Sequence, residues 1–165
     1  MCTVTLMPFS NKNFVLTSNR DEAPGRKTLA PEVYTEKGVK MAFPKDMVAG
    51  GTWLGISERN RLINLLNGGF ENHVRKPPYR LSRGVVVKEL LAAEDFVKAT
   101  NDFNFLNIEP FTLIVVDWQS KLNFTEFVWD GSQKHLKNLL IAPQIWSSTP
   151  LYSSEAKKQR QSWFQ

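Results

Sequence analysis

Gly50-Gly51-Thr52-Trp53-Leu54-Gly55-Ile56-Ser57, then Glu58-Arg59-Asn60, then Arg61-Leu62-Ile63-Asn64-Leu65-Leu66-Asn67, is the stretch that decides the fold. Gly50-Gly51 opens a hairpin. Thr52–Ser57 reads as one strand, Glu58-Arg59-Asn60 as its turn and Arg61–Leu66 as the partner. The partner ends at Asn67-Gly68-Gly69, where glycine permits backbone conformations that other residues avoid. A similar pattern stands at the start of the chain. Thr3–Phe9 alternates as a strand does, Asn11-Lys12-Asn13 is a turn signal, and Phe14–Thr17 is a second strand. That strand runs out into Ser18-Asn19-Arg20-Asp21-Glu22. Residues 23–48 between the two hairpins mix Pro24, Pro31 and Pro44 with charges. They predict loops, with a short strand near Val39–Phe43.

Ser82 to Leu91 places Val85, Val86, Leu90 and Leu91 at helical spacing, with Arg83 and Lys88 on the outer side. Glu94 to Thr100 continues helical after a break. Phe111–Asp117, Leu122–Trp129 and Lys137–Ile141 are β-prone runs. Ser153-Ser154-Glu155 starts a helix over Ala156 to Phe164. Strands come in pairs, helices stand in separate blocks and there is no βαβ alternation. The pattern predicts one α+β domain over residues 1–165, antiparallel sheet with helices on its faces. The last helix reaches Gln165 without a stop signal, so the chain is expected to continue further.

The 165 residues are 42% hydrophobic and 22% charged, the composition of a soluble globular domain. The longest apolar runs are too short to span a bilayer, and the first residues lack a secretory pattern. A lone cysteine cannot form an internal disulfide, which suits a reducing, cytoplasmic compartment. The formal net charge is +5. Part of it sits in His73, Arg75, Lys76, Arg80 and Arg83, within an eleven-residue stretch that holds no acid. Its first reading is a solvated basic face, and its second is attraction to an anionic small molecule or lipid head group. No zinc-finger spacing, aromatic RNP-like run or base-reading helix appears, so nucleic acid is not an expected partner. No metal and no cofactor is called for.

Three polar points fall at strand ends. The first is Cys2, the only cysteine, directly after the initiator methionine. Trimming of Met1 gives one residue both a thiol, of ordinary pKa about 8.5, and an α-amine, of about 7.7–8.0. Such an amine can take the thiol's proton without a histidine. The second is the Asn19–Glu22 run. Asp21 is placed to orient that amine by a charge-assisted hydrogen bond. Arg20 either neutralises a substrate carboxylate or locks Asp21 or Glu22 in an ion pair. The third is Asn67, whose side-chain N–H suits a developing oxyanion, with backbone N–H groups of the glycine turn beside it. Each has a plain reading as well: Cys2 as a buried strand residue, the other two as ordinary polar turns.

Together these features resemble the NRDE family, or transport and Golgi organisation protein 2 family, named for the run that stands here as Asn19-Arg20-Asp21-Glu22. The likeness takes in Met1-Cys2, Gly50–Ser57, Leu62–Asn67, Ser82-Arg83-Gly84 and Phe111–Asp117. It implies an N-terminal-nucleophile hydrolase fold, an αββα sandwich of antiparallel sheets with flanking helices, here without its late strands. More distantly it resembles the penicillin V acylase and bile-salt hydrolase group, in which a terminal cysteine cuts non-peptide C–N amide bonds. The resemblance thus implies an amidohydrolase with Cys2, Asp21, Asn67 and Arg20 as catalytic residues. Arg20 stands one or two places from the arginine of the acylase pattern. Asn19 and Trp53 are the expected substrate-binding residues. The family's link to haem or acyl-lipid trafficking implies an alternative, a non-catalytic intracellular carrier. For haem, the candidate axial ligands are His73, His135 and Cys2.

Overall fold

The computed structural model describes residues 3–9, 13–20 and 25–164. The strands are β1 (Thr3–Pro8), β2 (Phe14–Asn19), β3 (Thr28–Glu36), β4 (Val39–Asp46), β5 (Leu54–Ser57) and β6 (Arg61–Asn67), then β7 (Phe111–Asp117), β8 (Asn123–Trp129), β9 (Lys134–Leu139) and β10 (Gln144–Ser147). Helices α1 (Arg83–Ala92) and α2 (Phe96–Asp102) lie between β6 and β7, and α3 (Ser154–Phe164) follows β10. β3 to β9 form one antiparallel sheet in chain order. β10, β1 and β2 form a second antiparallel sheet with β1 in the middle.

Alternate residues of the central strands serve two cores, because the large sheet is covered on both faces. Ile63 and Leu65 of β6, with Phe111, Leu113 and Val115 of β7, pack against Val86, Val87, Leu90 and Leu91 of α1. Leu66, Ile114 and Val116 turn the other way, onto Val4 and Leu6 of β1. An antiparallel strand with one wet face alternates apolar and polar residues. The unbroken Phe-Thr-Leu-Ile-Val-Val of β7 is therefore the mark of a strand enclosed between layers. α3 touches the small sheet through β10, which completes the helix, sheet, sheet, helix order. Among the described residues, no helix is long and apolar enough to cross a membrane.

The short strand expected near Val39–Phe43 is present within β4, but residues 28–36, expected as loop, form β3, and the two strands pair as a hairpin. Pro31 and Pro44 do not break it, because the register shifts between Leu29 and Glu32, and Pro44 stands between the partners of those two residues. A bulge is where a strand tolerates a residue without an N–H. β10 was not expected, and β9 starts three residues before the run Lys137–Ile141. The turn expected at Asn11-Lys12-Asn13 lies partly outside the described residues. Arg83 and Lys88 do not face outward either. Their side chains are only 18% and 16% exposed. Lys88 donates to Glu36 at 2.9 Å.

One crossing fixes where α1 begins. Ser82 caps the helix, its hydroxyl accepting from the Gly84 N–H at 3.2 Å. The chain at Gly51-Thr52 passes against that first turn, and the Thr52 N–H donates to the Gly84 carbonyl at 3.1 Å. A Cβ on Gly51 would stand 2.4 Å from the Gly84 carbonyl carbon, and one on Gly84 would stand 2.8 Å from Thr52 N. Both obstacles are backbone, which cannot step aside as a side chain can. Gly51→Ala is therefore expected to cost about 1–3 kcal/mol, the usual range for overpacking. Urea unfolding measures it, and a change under about 0.5 kcal/mol, the scatter of surface substitutions, would contradict the crossing.

Candidate active site

The glycine crossing brings the α1 N-terminus, the β4–β5 connection and the end of β6 around one cleft of about 290 Å³. Asn67 enters as the last residue of β6, paired with Phe111 of β7. Its surroundings are tied down. The Ser148 hydroxyl donates to the Asn67 carbonyl at 2.9 Å, and Thr149 Oγ1 donates to the Gly69 carbonyl at 2.7 Å. The Gly68 N–H donates to the Pro110 carbonyl at 3.1 Å. Gly68 itself has φ +84° and Pro150 packed against it, a left-handed conformation beside a close neighbour that only glycine meets without strain. Among the described residues the Asn67 side-chain amide has no hydrogen-bond partner, so its N–H is available to a ligand.

Arg20 leaves the end of β2 and reaches the same cleft. Its guanidinium lies over the Trp53 ring, 4.3 Å from the centroid, and 3.5 Å from Asp46 Oδ2. Asp46 ends β4 and is a fixed anion. It accepts from Arg26 Nε at 2.6 Å and from the N–H groups of Val48 and Ala49 at 2.9 and 3.0 Å. Burial works to raise its pKa, but the Arg26 and backbone hydrogen bonds outweigh it and hold the carboxyl below its ordinary value. Trp53 thus presents one face to an arginine, and its side chain packs against the α1-side core.

The far wall is a second charged cluster around Glu109. Its carboxylate, 10% exposed, stands 3.1 Å from Arg75 Nε, 3.2 Å from an Arg83 terminal nitrogen and 3.3 Å from His73 Nε2. Arg83 also donates to the Pro110 carbonyl at 3.3 Å. The basic stretch expected to be a solvated face is therefore partly turned inward. Neither Asp46 nor Glu109 stood out in the sequence. The only signal was the basic stretch of residues 73–83, which holds no acid of its own.

Of the expected site residues, Arg20, Trp53 and Asn67 line this one cleft. Asn19 is exposed at the end of β2 and lines a different hollow with Thr3, Tyr152 and Arg160. Cys2 and Asp21 lie outside the described residues. Of the two histidines considered as haem ligands, His73 faces Glu109 and His135 Nε2 lies 2.7 Å from Asp130.

A family model described as Transport and Golgi organisation 2 matches residues 1–162. No curated protein matches the chain in sequence. Among solved structures, a variant of conjugated bile acid hydrolase from Clostridium perfringens superposes with a TM-score of 0.57 at 10% identity, covering 98% of this chain and 57% of that one. The C2A mutant of conjugated bile acid hydrolase from the same organism gives 0.57 at 9% identity, with the same coverage. A Caenorhabditis elegans orthologue of N-acylethanolamine-hydrolyzing acid amidase gives 0.65 at 12%, covering 96% of this chain and 73% of that one. At these identities the likeness is one of fold, the N-terminal-nucleophile hydrolase fold. The chain spans little more than half the length of the bile acid hydrolase.

Proposed function

The chain belongs to the Transport and Golgi organisation 2 family, and from that premise we propose that it is a cysteine amidohydrolase of the N-terminal-nucleophile type, acting on a non-peptide C–N amide bond. The observation that carries the reading is the meeting of Arg20, Trp53 and Asn67, from three separate elements, in one cleft. The fold is shared with hydrolases that cut conjugated bile acids and N-acylethanolamines. Thr3, which follows Cys2 in the chain, pairs with Asn19, which precedes Arg20.

In this reading the Cys2 amine takes the thiol proton, and the sulfur attacks the amide carbonyl carbon. A C–S bond forms and the carbonyl oxygen becomes an oxyanion, which accepts from the Asn67 side-chain N–H. The C–N bond then breaks, and the Cys2 ammonium returns its proton to the leaving nitrogen. Water cleaves the thioester, releasing the acid and restoring the thiol. Asp21 holds the amine. Arg20, held by Trp53 and Asp46, borders the reacting bond. The ligand is a small-molecule amide whose apolar part rests on Trp53, Pro150 and Leu151.

Asn67→Ala removes a donor that acts when charge develops. Its expected effect is a fall in kcat of on the order of 10²-fold with little change in KM. Steady-state hydrolysis of an N-acyl amide measures it. A rise in KM at constant kcat would assign Asn67 to ground-state binding instead.

A further inference from the structure

Arg75, Arg83 and His73 all converge on one carboxylate, that of Glu109. Two guanidinium groups on a single carboxylate leave a net positive charge even with the imidazole neutral. They also leave N–H donors in excess, since a guanidinium has more donors than a shared carboxylate can accept. The side chains of Glu109, Arg83 and His73 are 10%, 18% and 18% exposed, whereas that of Arg75 is 72% exposed and stands at the mouth. Burial lowers the pKa of Arg83. The Arg75 charge adds to that fall and Glu109 opposes it, so the buried cation is incompletely compensated. Among the described residues, His73 Nδ1 is buried with no hydrogen-bond partner. All four residues line the cleft that holds Asn67.

A structural ion pair would be complete with one arginine per acid. Here the surplus is arginine, and it faces a cavity. Beside it, Pro150 and Leu151 give the same cleft an apolar wall, and Leu151 is 51% exposed.

We propose that Arg75 and Arg83, positioned by Glu109, form an anion subsite that seats a carboxylate or phosphate carried by the ligand. The guanidinium fork suits either oxyanion, because both offer paired oxygens at its spacing. Arg75 captures the anion at the mouth and Arg83 meets it inside. The subsite rests on reading the cleft as a substrate site, but its test measures binding and not turnover, so either reading can fail alone.

The test uses the whole chain carrying Cys2→Ala, so that no probe is turned over, and three probes with one acyl amide and different ends: N-octanoylethanolamine, N-octanoylglycine and N-octanoylethanolamine phosphate. Titration calorimetry is expected to give roughly tenfold tighter binding for at least one charged probe than for the neutral one, the scale of one charge-assisted contact. Whichever charged probe wins identifies the oxyanion. Added salt should reduce that preference. Arg75→Ala, at an exposed position, should shrink the preference to about twofold or less, and Arg75→Lys should recover part of it. Equal affinity for the three probes, binding by none of them, or a preference that survives Arg75→Ala would each overturn the subsite. Arg83→Lys, with its fold checked by circular dichroism, gives a second reading: loss of the preference supports the subsite, and a preference unaltered from the parent chain counts against it.

Discussion

Cys2→Ala is expected to lower kcat for amide hydrolysis by on the order of 10³-fold or more, the scale seen when a covalent nucleophile is removed. The proposed route is covalent. Without the sulfur no thioester forms, and the remaining α-amine has no thiol proton to take and later return to the leaving nitrogen. Cys2→Ser sharpens the result. It keeps the terminal amine and a hydroxyl of similar size, but a hydroxyl is the weaker nucleophile near neutral pH, where a thiol is already a few per cent ionised. Serine activity should therefore lie between the two. The check is turnover of an N-acyl amide at matched protein concentration, with thermal unfolding run beside it to confirm that the variants fold. Undiminished turnover in the alanine variant would remove Cys2 from the chemistry.

The second large effect concerns stability. Arg61 opens β6 and is 1% exposed. Its guanidinium lies 3.0 Å from Asp117 Oδ2, and it donates to the carbonyls of Leu90, Ala93 and Glu94 at 3.1, 2.6 and 3.2 Å. Those carbonyls are at the C-terminal end of α1, where no further turn of helix satisfies them. One side chain thus closes the helix that carries Arg83 and docks it on the large sheet. Arg61→Met keeps the volume and removes every donor. It is expected to cost about 3–5 kcal/mol, as when one partner of a buried charged network is deleted. Arg61→Lys keeps the charge but not the fork, so it should recover only part of the loss. Urea unfolding at constant m-value measures both. A methionine variant within about 0.5 kcal/mol of the parent, the scatter of substitutions at uninvolved surface positions, would show that the carbonyls find other partners.

The strands and helices visible in the sequence were those with a strong local signal. Phe111–Asp117 was legible as a strand because both its faces are apolar, and α1 because its valines and leucines recur at helical spacing. β3 was not, and β4 only as far as Phe43, because Pro31 and Pro44 read as breakers and only the partner strand reveals the bulge that admits them. β10 is four residues long and is held by pairing with β1, some 140 positions earlier in the chain.

The site divides in the same way. Asn67 and Trp53 stood out through turn chemistry and an isolated aromatic. Asp46 and Glu109 did not, because a single acid carries no pattern and their partners come from distant segments. Glu109 meets His73 across 36 positions. The basic run at 73–83 looked solvated because the acid that draws it inward lies beyond any local window. Arg61 was hidden for the same reason, its bonds reaching 29 to 56 positions along the chain.

The most direct test of the nucleophile is the intact mass of the natively produced chain before and after exposure to an amide-mimicking acyl electrophile. The expected result is a chain lacking Met1 that gains a single acyl group, located on residue 2 by peptide mapping. A chain that keeps its methionine and takes up no label at the sulfur would contradict it.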